Sequence, residues 1–401
     1  MVDGLPQIVV DPKRPGRRGL RVLLNFITFS AAGHVAEALK YAKGIAAANP
    51  GAEIHLLLNA ATAVDIAQAA NWVTPHAIDP RRLDGPRWRT SLRNVPPEVD
   101  YLVTNVTLKH VAPSEPELRA AHDHVIAHTV TRLGAGYSSH LNTYYADQER
   151  EPLPYRPNEP ARLMVPDAAR AWTRERLGVG GPVITVLLAG SRPHRAPSLR
   201  AWREILGALA DRLPGVRLCV TGVTRNARTT TAFGAADIAE LGRVVPAVET
   251  WIDVGLWRQL ALVEASDVFL SPHTGFGFFA PLLDTPWLAL SHCPWPEVLF
   301  NGVPFYSVLP ACGNFPTLLI TDSACDRRIR GRTRPVCLED EAVLSRVPQL
   351  VAGAERLLAG MSFEDAVARY RADVHAASCR TDHFFSYDGA LADLRVRPGI
   401  P

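Results

Sequence analysis

The sequence predicts an α/β protein made of two tandem Rossmann-like domains facing a cleft. Three observations predict it. Short apolar runs rich in β-formers alternate with stretches of helical spacing, which implies parallel sheets covered by helices. The alternation stops at a Pro-, Arg- and Glu-rich stretch, residues 146–182, and then restarts. The chain has 401 residues, too many for one ordinary core. The expected division is 1–165 for the first domain and 166–375 for the second. Residues 376–401 are expected to cross back and brace the first.

In the first domain, 20–28 (LRVLLNFIT) reads as a buried strand. Ser30 to Gly33 make a small-residue turn. In 34–50, Val35, Leu39 and Ala42 or Ile45 share one helical face, and Asn49-Pro50-Gly51 ends the helix. Residues 53–59 are the next strand and 61–72 the next helix. A further strand covers 101–105. The helix 114–134 is opened by Ser114 with Glu117 three residues later, a capping box. Residues 146–182 are read as a linker holding a short helix at 167–177.

In the second domain, strands are expected at 182–190, 216–222, 267–272 and 286–292. Helices are expected at 198–215, 256–265 and 275–284, and closing helices at 341–360 and 362–377. Ligands of doubly wound sheets bind outside the carboxyl ends of strands, which selects the loops 28–34, 189–195, 221–226 and 271–276.

Composition narrows the partners. Apolar residues make up 47% and charged residues 21%, a soluble globular balance. A net charge of +3 is too small to suggest a nucleic-acid partner. No segment approaches the roughly 20 apolar residues of a membrane span, so no stable insertion is expected. The N-terminal apolar run, Ile8 to Val10, is too short for a signal peptide, and a cytoplasmic protein is expected. The 6 cysteines include no close CxxC pair. Cys312, Cys325 and Cys337 read as buried or idle thiols.

Four loops carry residues suited to chemistry. Gly190 lets backbone approach a ligand, Ser191 offers a hydroxyl, and Arg192 a planar fork for phosphate oxygens. A bland turn with a solvated Arg would look the same. Gly222 and Arg225 lie at the same edge, or form an ordinary surface loop. Thr274-Gly275 opens a helix whose N–H groups and dipole attract anions. Thr274 is otherwise only an N-cap, and the phenylalanines after it are core. His34 follows Gly33 at the tip of the first strand, where a neutral imidazole suits a general base. His122, His124 and His128 share a helix without an acidic partner at metal-site spacing and read as a packed or solvated face. No GxxxxGK[ST] and no Asp-x-Asp pair appears, so no metal clamp for a diphosphate is expected.

The run from "AGSR" through the Trp202 helix, "TG" and "LWRQLALVEASDVFLSPHTGFGFFAPLLDTPWLALS" resembles the heptosyltransferase-type (family 9) glycosyltransferases of GT-B fold. The likeness covers roughly 183–350. His273 stands where that family usually has Asp, and Phe278 where it usually has His. Gly33-His34-Val35 replaces its Gly-Asp-Val and is similar to the Gly-His of many natural-product glycosyltransferases, where the His is the base. The resemblance implies an inverting, metal-independent and cofactor-free transfer of a sugar, a heptose among the candidates. The donor is a nucleotide-diphosphate sugar, and the acceptor a hydroxyl of a small molecule or cell-envelope glycan. His34 is then the base. Gly33 and Asn105 meet the acceptor. Gly190, Ser191, Arg192, Gly222, Arg225, His273, Thr274, Gly275 and Phe276 meet the donor. A sugar-nucleotide epimerase and a non-catalytic two-lobed binding protein are the rival readings.

Overall fold

The structure is a computed structural model. It describes residues 7–8, 19–28, 30–105, 116–138, 144–149, 151, 153–190, 196–224, 233–292, 299–311, 315 and 336–377. The chain forms two compact units that divide between Met164 and Val165. The expected closing segment lies outside the described residues from 378 onward.

The first unit holds β1 (Gln7–Ile8), β2 (Arg21–Phe26), β3 (Glu53–Asn59), β4 (Thr74–Ile78), β5 (Glu98–Asn105), β6 (Val130–Ser138) and β7 (Tyr144–Glu149). They form one sheet in the order β1-β7-β6-β5-β2-β3-β4. From β4 to β6 neighbouring strands are parallel, while β7 runs antiparallel to β6 and to β1. The strand order reverses between β2 and β5, which makes their carboxyl ends the topological switch point. β2 is buried along most of its length and mainly apolar, with Asn25 its one buried polar residue, because a central parallel strand is covered on both faces. On one face Leu23, Leu57 and Leu102 pack under Ala121 and Val125 of the helix Pro116–His128.

Helix α1 (Ala32–Ala48) is buried almost all round, beyond the single stripe expected. The cause is the stretch read as a linker. Its start is β7, and residues 153–161 then lie along α1. The Tyr155 ring packs, tilted, 4.9 Å from that of Tyr41. A β-carbon at Gly44 would run into that ring and into the Arg156 carbonyl. Asn49 Nδ2 donates to the Pro154 carbonyl (3.0 Å) and Lys40 Nζ to the Glu159 carbonyl (2.6 Å). This strap replaces the expected free linker.

Two other expectations change. The helix expected over 61–72 is only Val64–Gln68. The helix expected over 114–134 ends at His128, and β6 follows at once. β-branched Thr129, Val130 and Thr131 and then Gly134 disfavour further helix. Ser114, its expected cap, lies outside the described residues.

The second unit holds β8 (Val183–Leu187), β9 (Arg217–Gly222), β10 (Val248–Ile252), β11 (Val268–Pro272), β12 (Trp287–Leu290) and β13 (Phe305–Val308). All are parallel, in the order β10-β9-β8-β11-β12-β13, so the switch point falls between β8 and β11. The helix Leu199–Arg212 packs Trp202, Ile205, Leu206 and Leu209 wholly inward, each contributing about 1.5–3 kcal/mol. Ser198 caps that helix by accepting from Ala201 N–H (3.0 Å), and its hydroxyl donates to Asp340 (2.5 Å).

The closing helix expected over 341–360 is two helices, Asp340–Leu344 and Val347–Leu358. Pro348 sits in the first turn of the second, where its missing N–H costs nothing; inside one long helix it would break the ladder. The helix expected over 275–284 is a 3-10 turn, Gly275–Phe278, followed by one α-turn, Phe279–Leu282. The dipole available at Thr274 is correspondingly that of a short turn. Among the described residues no helix is long and apolar enough to cross a membrane.

Candidate functional site

In the second unit, the loop after β8 and the loop after β11 meet at the switch point. Trp202 Nε1 donates to the Leu188 carbonyl (2.9 Å) and fixes where the first loop leaves its strand. Two residues on, a β-carbon at Gly190 would stand 2.8 Å from Thr274 Cγ2 and 3.0 Å from Thr274 Cβ. Only glycine allows that approach. Thr274 has extended backbone angles, and its hydroxyl accepts from the Gly277 N–H (3.3 Å). The first N–H groups of the turn, at Gly275 and Phe276, have no partner within it and suit anionic oxygens. Ser191 and Arg192, expected beside Gly190, lie outside the described residues, as does Arg225.

His273 is placed differently from the expectation. The residue is only 7% exposed, and its ring lies 5.9 Å from Trp287 and 5.5 Å from Phe278. Its carbonyl accepts from His292 Nε2 (3.2 Å). The ring packs inward because Gly277 leaves space for Trp287: a β-carbon there would collide with the indole. Trp287 Nε1 in turn donates to Ser271 Oγ (3.0 Å). Phe278 and Phe279 are core, while Phe276 is half-buried against Phe269 and Phe279.

The end of β9 is shaped by Gly222, whose φ of 132° suits only glycine. Its carbonyl accepts from Gln259 Nε2 (2.9 Å) and from Asp253 N–H (2.9 Å). Asp253 has φ of 59°, uncommon for a residue with a side chain, and its carboxylate holds both the N–H (2.9 Å) and hydroxyl (2.6 Å) of Thr224. Between the ends of β8 and β9 lies a small, open recess of about 20 Å³, walled by Leu187, Ala189, Thr221, Thr224, Phe233 and Ile238.

In the first unit, Gly33 and His34 lie in the first turn of α1, just past β2, and Asn105 ends β5. These are the two strands of the switch point. His34 Nδ1 is 3.0 Å from Glu37 Oε2. The Glu37 side chain is 2% exposed and that of His34 is 27% exposed. A carboxylate only accepts, so Nδ1 carries the proton and Nε2 the lone pair. The imidazole is thereby held in the tautomer a base requires. The sequence reading missed Glu37; its signal was the i, i+3 spacing from His34 on one helix.

The three histidines of the helix Pro116–His128 are engaged separately. His122 Nδ1 meets Asp123 (3.2 Å), His124 stacks on Trp88 (4.5 Å), and His128 Nε2 donates to the Val95 carbonyl (3.0 Å). Among the described residues no group of three or more His, Cys, Asp or Glu is gathered closely enough to hold a metal ion. Cys337 is buried, while Cys312 and Cys325 lie outside the described residues.

No protein-family model matches the chain. In structure it is similar to a glycosyl transferase of family 9 from Veillonella parvula. The match covers 84% of this chain and 97% of that one, with a TM-score of 0.55 and 10% identity. It is also similar to the ADP-heptose lipopolysaccharide heptosyltransferase II of E. coli, over 84% of this chain and 99% of that one, with a TM-score of 0.48 and 13% identity. The first likeness, together with the two sheets, establishes the two-domain α/β fold that such glycosyltransferases adopt.

Proposed function

We propose that the chain is an inverting glycosyltransferase that moves a sugar from a nucleotide-diphosphate donor to an acceptor hydroxyl. The observation that carries this reading is the His34–Glu37 pair at a sheet switch point, in a fold that glycosyltransferases share. His34 Nε2 takes the proton of the acceptor hydroxyl. The acceptor oxygen attacks the anomeric carbon from the face opposite the diphosphate. The bond to the diphosphate breaks with its electron pair on the departing oxygen, and the configuration inverts. Glu37 stabilises the imidazolium that forms.

The second unit holds the donor. The Gly190–Thr274 junction takes the diphosphate with Ser191 and Arg192. Charge on the leaving group is met by Arg, hydroxyl and backbone N–H, so transfer proceeds without a metal. The acceptor is a hydroxyl of a small molecule or an envelope glycan. The resemblance of residues 183–350 to the heptosyltransferase-type family makes a nucleotide-diphosphate heptose the first donor to try. The test is a binding and turnover screen with ADP-, GDP-, UDP- and dTDP-sugars, repeated in the presence of a chelator. Failure to bind any of them rejects the reading, and loss of turnover with the chelator rejects metal independence.

A further inference from the structure

The first unit carries a set of buried polar atoms that its own fold does not use. Asn25 on β2 and Thr104 on β5 are register partners across the switch point. They are 1% and 2% exposed. Each sits two residues beyond an apolar partner on the same strand, Leu23 and Leu102, so both lie on the sheet face covered by the helix Pro116–His128. Asn25 Oδ1 accepts from the Ile27 N–H (3.3 Å). Asn25 Nδ2 and Thr104 Oγ1 have no hydrogen-bond partner among the described residues. Thr28 Oγ1, just past the end of β2, is buried and unsatisfied in the same way.

Native proteins keep few such groups, because each bears the full desolvation cost with nothing in return. Valine would fit in place of Thr104 without that cost. Three unsatisfied groups at the carboxyl edge of two strands, at the point where such sheets take ligands, mark a binding function.

We infer that Asn25, Thr104 and Thr28 form a subsite for an uncharged, hydroxylated ligand such as a sugar or cyclitol. Asn25 Nδ2 donates to a ligand oxygen, and the Thr104 and Thr28 hydroxyls each donate or accept as the ligand demands. No charged group belongs to the set, so it selects a hydroxyl or carbonyl oxygen over a carboxylate or phosphate. This rests on the proposed function in one respect: the hydroxylated ligand is the acceptor.

Thr104→Val is the decisive variant, because it deletes the hydroxyl and keeps the shape. Binding of myo-inositol, methyl glucoside and glucuronate to the full chain is followed by calorimetry and by ligand-observed NMR. The wild type is expected to bind a neutral probe in preference to glucuronate, and Thr104→Val to bind it at least tenfold more weakly. Its melting temperature is expected to stay level or rise, since an unsatisfied oxygen has gone. Equal binding by the variant, tighter binding of glucuronate, or no neutral probe bound by the wild type overturns the proposal. A fall of several degrees in melting temperature overturns it too, by showing that Thr104 serves the fold. Asn25→Leu provides the second measurement. Nucleotide-sugar binding, measured on the same samples, keeps the two readings apart. Its absence from the wild type rejects the glycosyltransferase and leaves the polyol subsite standing.

Discussion

Gly190 and Thr274 touch so closely that a single methyl on the glycine would stand 2.8 Å from Thr274 Cγ2. Gly190→Ala therefore forces the two loops of the second switch point apart. Overpacking of this kind costs about 1–3 kcal/mol. Donor affinity is expected to fall about tenfold, by the same conversion. Thr274→Ser removes Cγ2, so the double variant should recover part of the loss. Calorimetric titration with the nucleotide sugar checks the cycle, and strictly additive losses would show that the contact does not govern donor binding.

His34→Ala should lower turnover by about 10²–10⁴ while donor affinity holds. Glu37→Gln should lower it by about tenfold or more and alter the acidic limb of the pH–rate profile, because the amide no longer fixes the tautomer or stabilises the imidazolium. Steady-state kinetics across pH read both. An unchanged profile in Glu37→Gln would make Glu37 a packing residue.

His55 and His76 lie side by side on β3 and β4, with Nδ1 of one 3.0 Å from Nε2 of the other. Burial, and then the neighbouring His55, push His76 from 6.5 down to about 4. Burial likewise lowers His55, with Arg21 adding to the effect and Glu53 opposing it. The unfolded chain therefore binds more protons than the folded one between pH 6.5 and about 4. Stability is full above that window and is lost as pH falls through it, by on the order of 2 kcal/mol. Melting temperatures measured from pH 7 to 4 should decline, and less steeply in His76→Gln. Equal slopes would contradict the assignment.

Arg346 is buried with three carbonyls around it. Nε donates to Ala342 (2.9 Å), Nη1 to Ser291 (2.9 Å) and Nη2 to Cys337. Burial lowers its pKa to about 10, so it stays charged at neutral pH. Arg346→Met deprives three carbonyls of this donor and should cost about 3 kcal/mol. At about 2–4 °C per kcal/mol for a unit of this size, melting should drop by roughly 6–12 °C. A calorimetric scan decides it.

The parts legible from sequence were those where burial leaves a periodic mark. β2, β8 and β11 are covered on both faces, so each reads as a mainly apolar run rich in β-formers. β4 is an edge strand with Pro75 and two polar residues, and it carries no such mark. β6 begins in a stretch whose spacing continues that of the helix before it, so the two ran together. Gly33-His34 and Thr274 could be chosen as candidates because they lie at strand tips, where such sheets take ligands. Glu37 left only its i, i+3 spacing from His34 as a mark, since an acid on a helix ordinarily faces water and only tertiary packing buries this one. The inward turn of His273 was equally hidden, because it depends on the space Gly277 leaves for an indole ten residues later.

The strap along α1 changes where the first unit ends. Its last strand finishes at Glu149, yet the carbonyls of Pro154 and Glu159 and the ring of Tyr155 complete the outer side of α1. A chain cut at the end of the sheet would strip the cover from Tyr41, Gly44 and a buried lysine. That would loosen the helix that presents His34. Dissection of the protein into halves should therefore cut near Met164, some 15 residues after the sheet is finished, and the histidine's placement depends on that late segment.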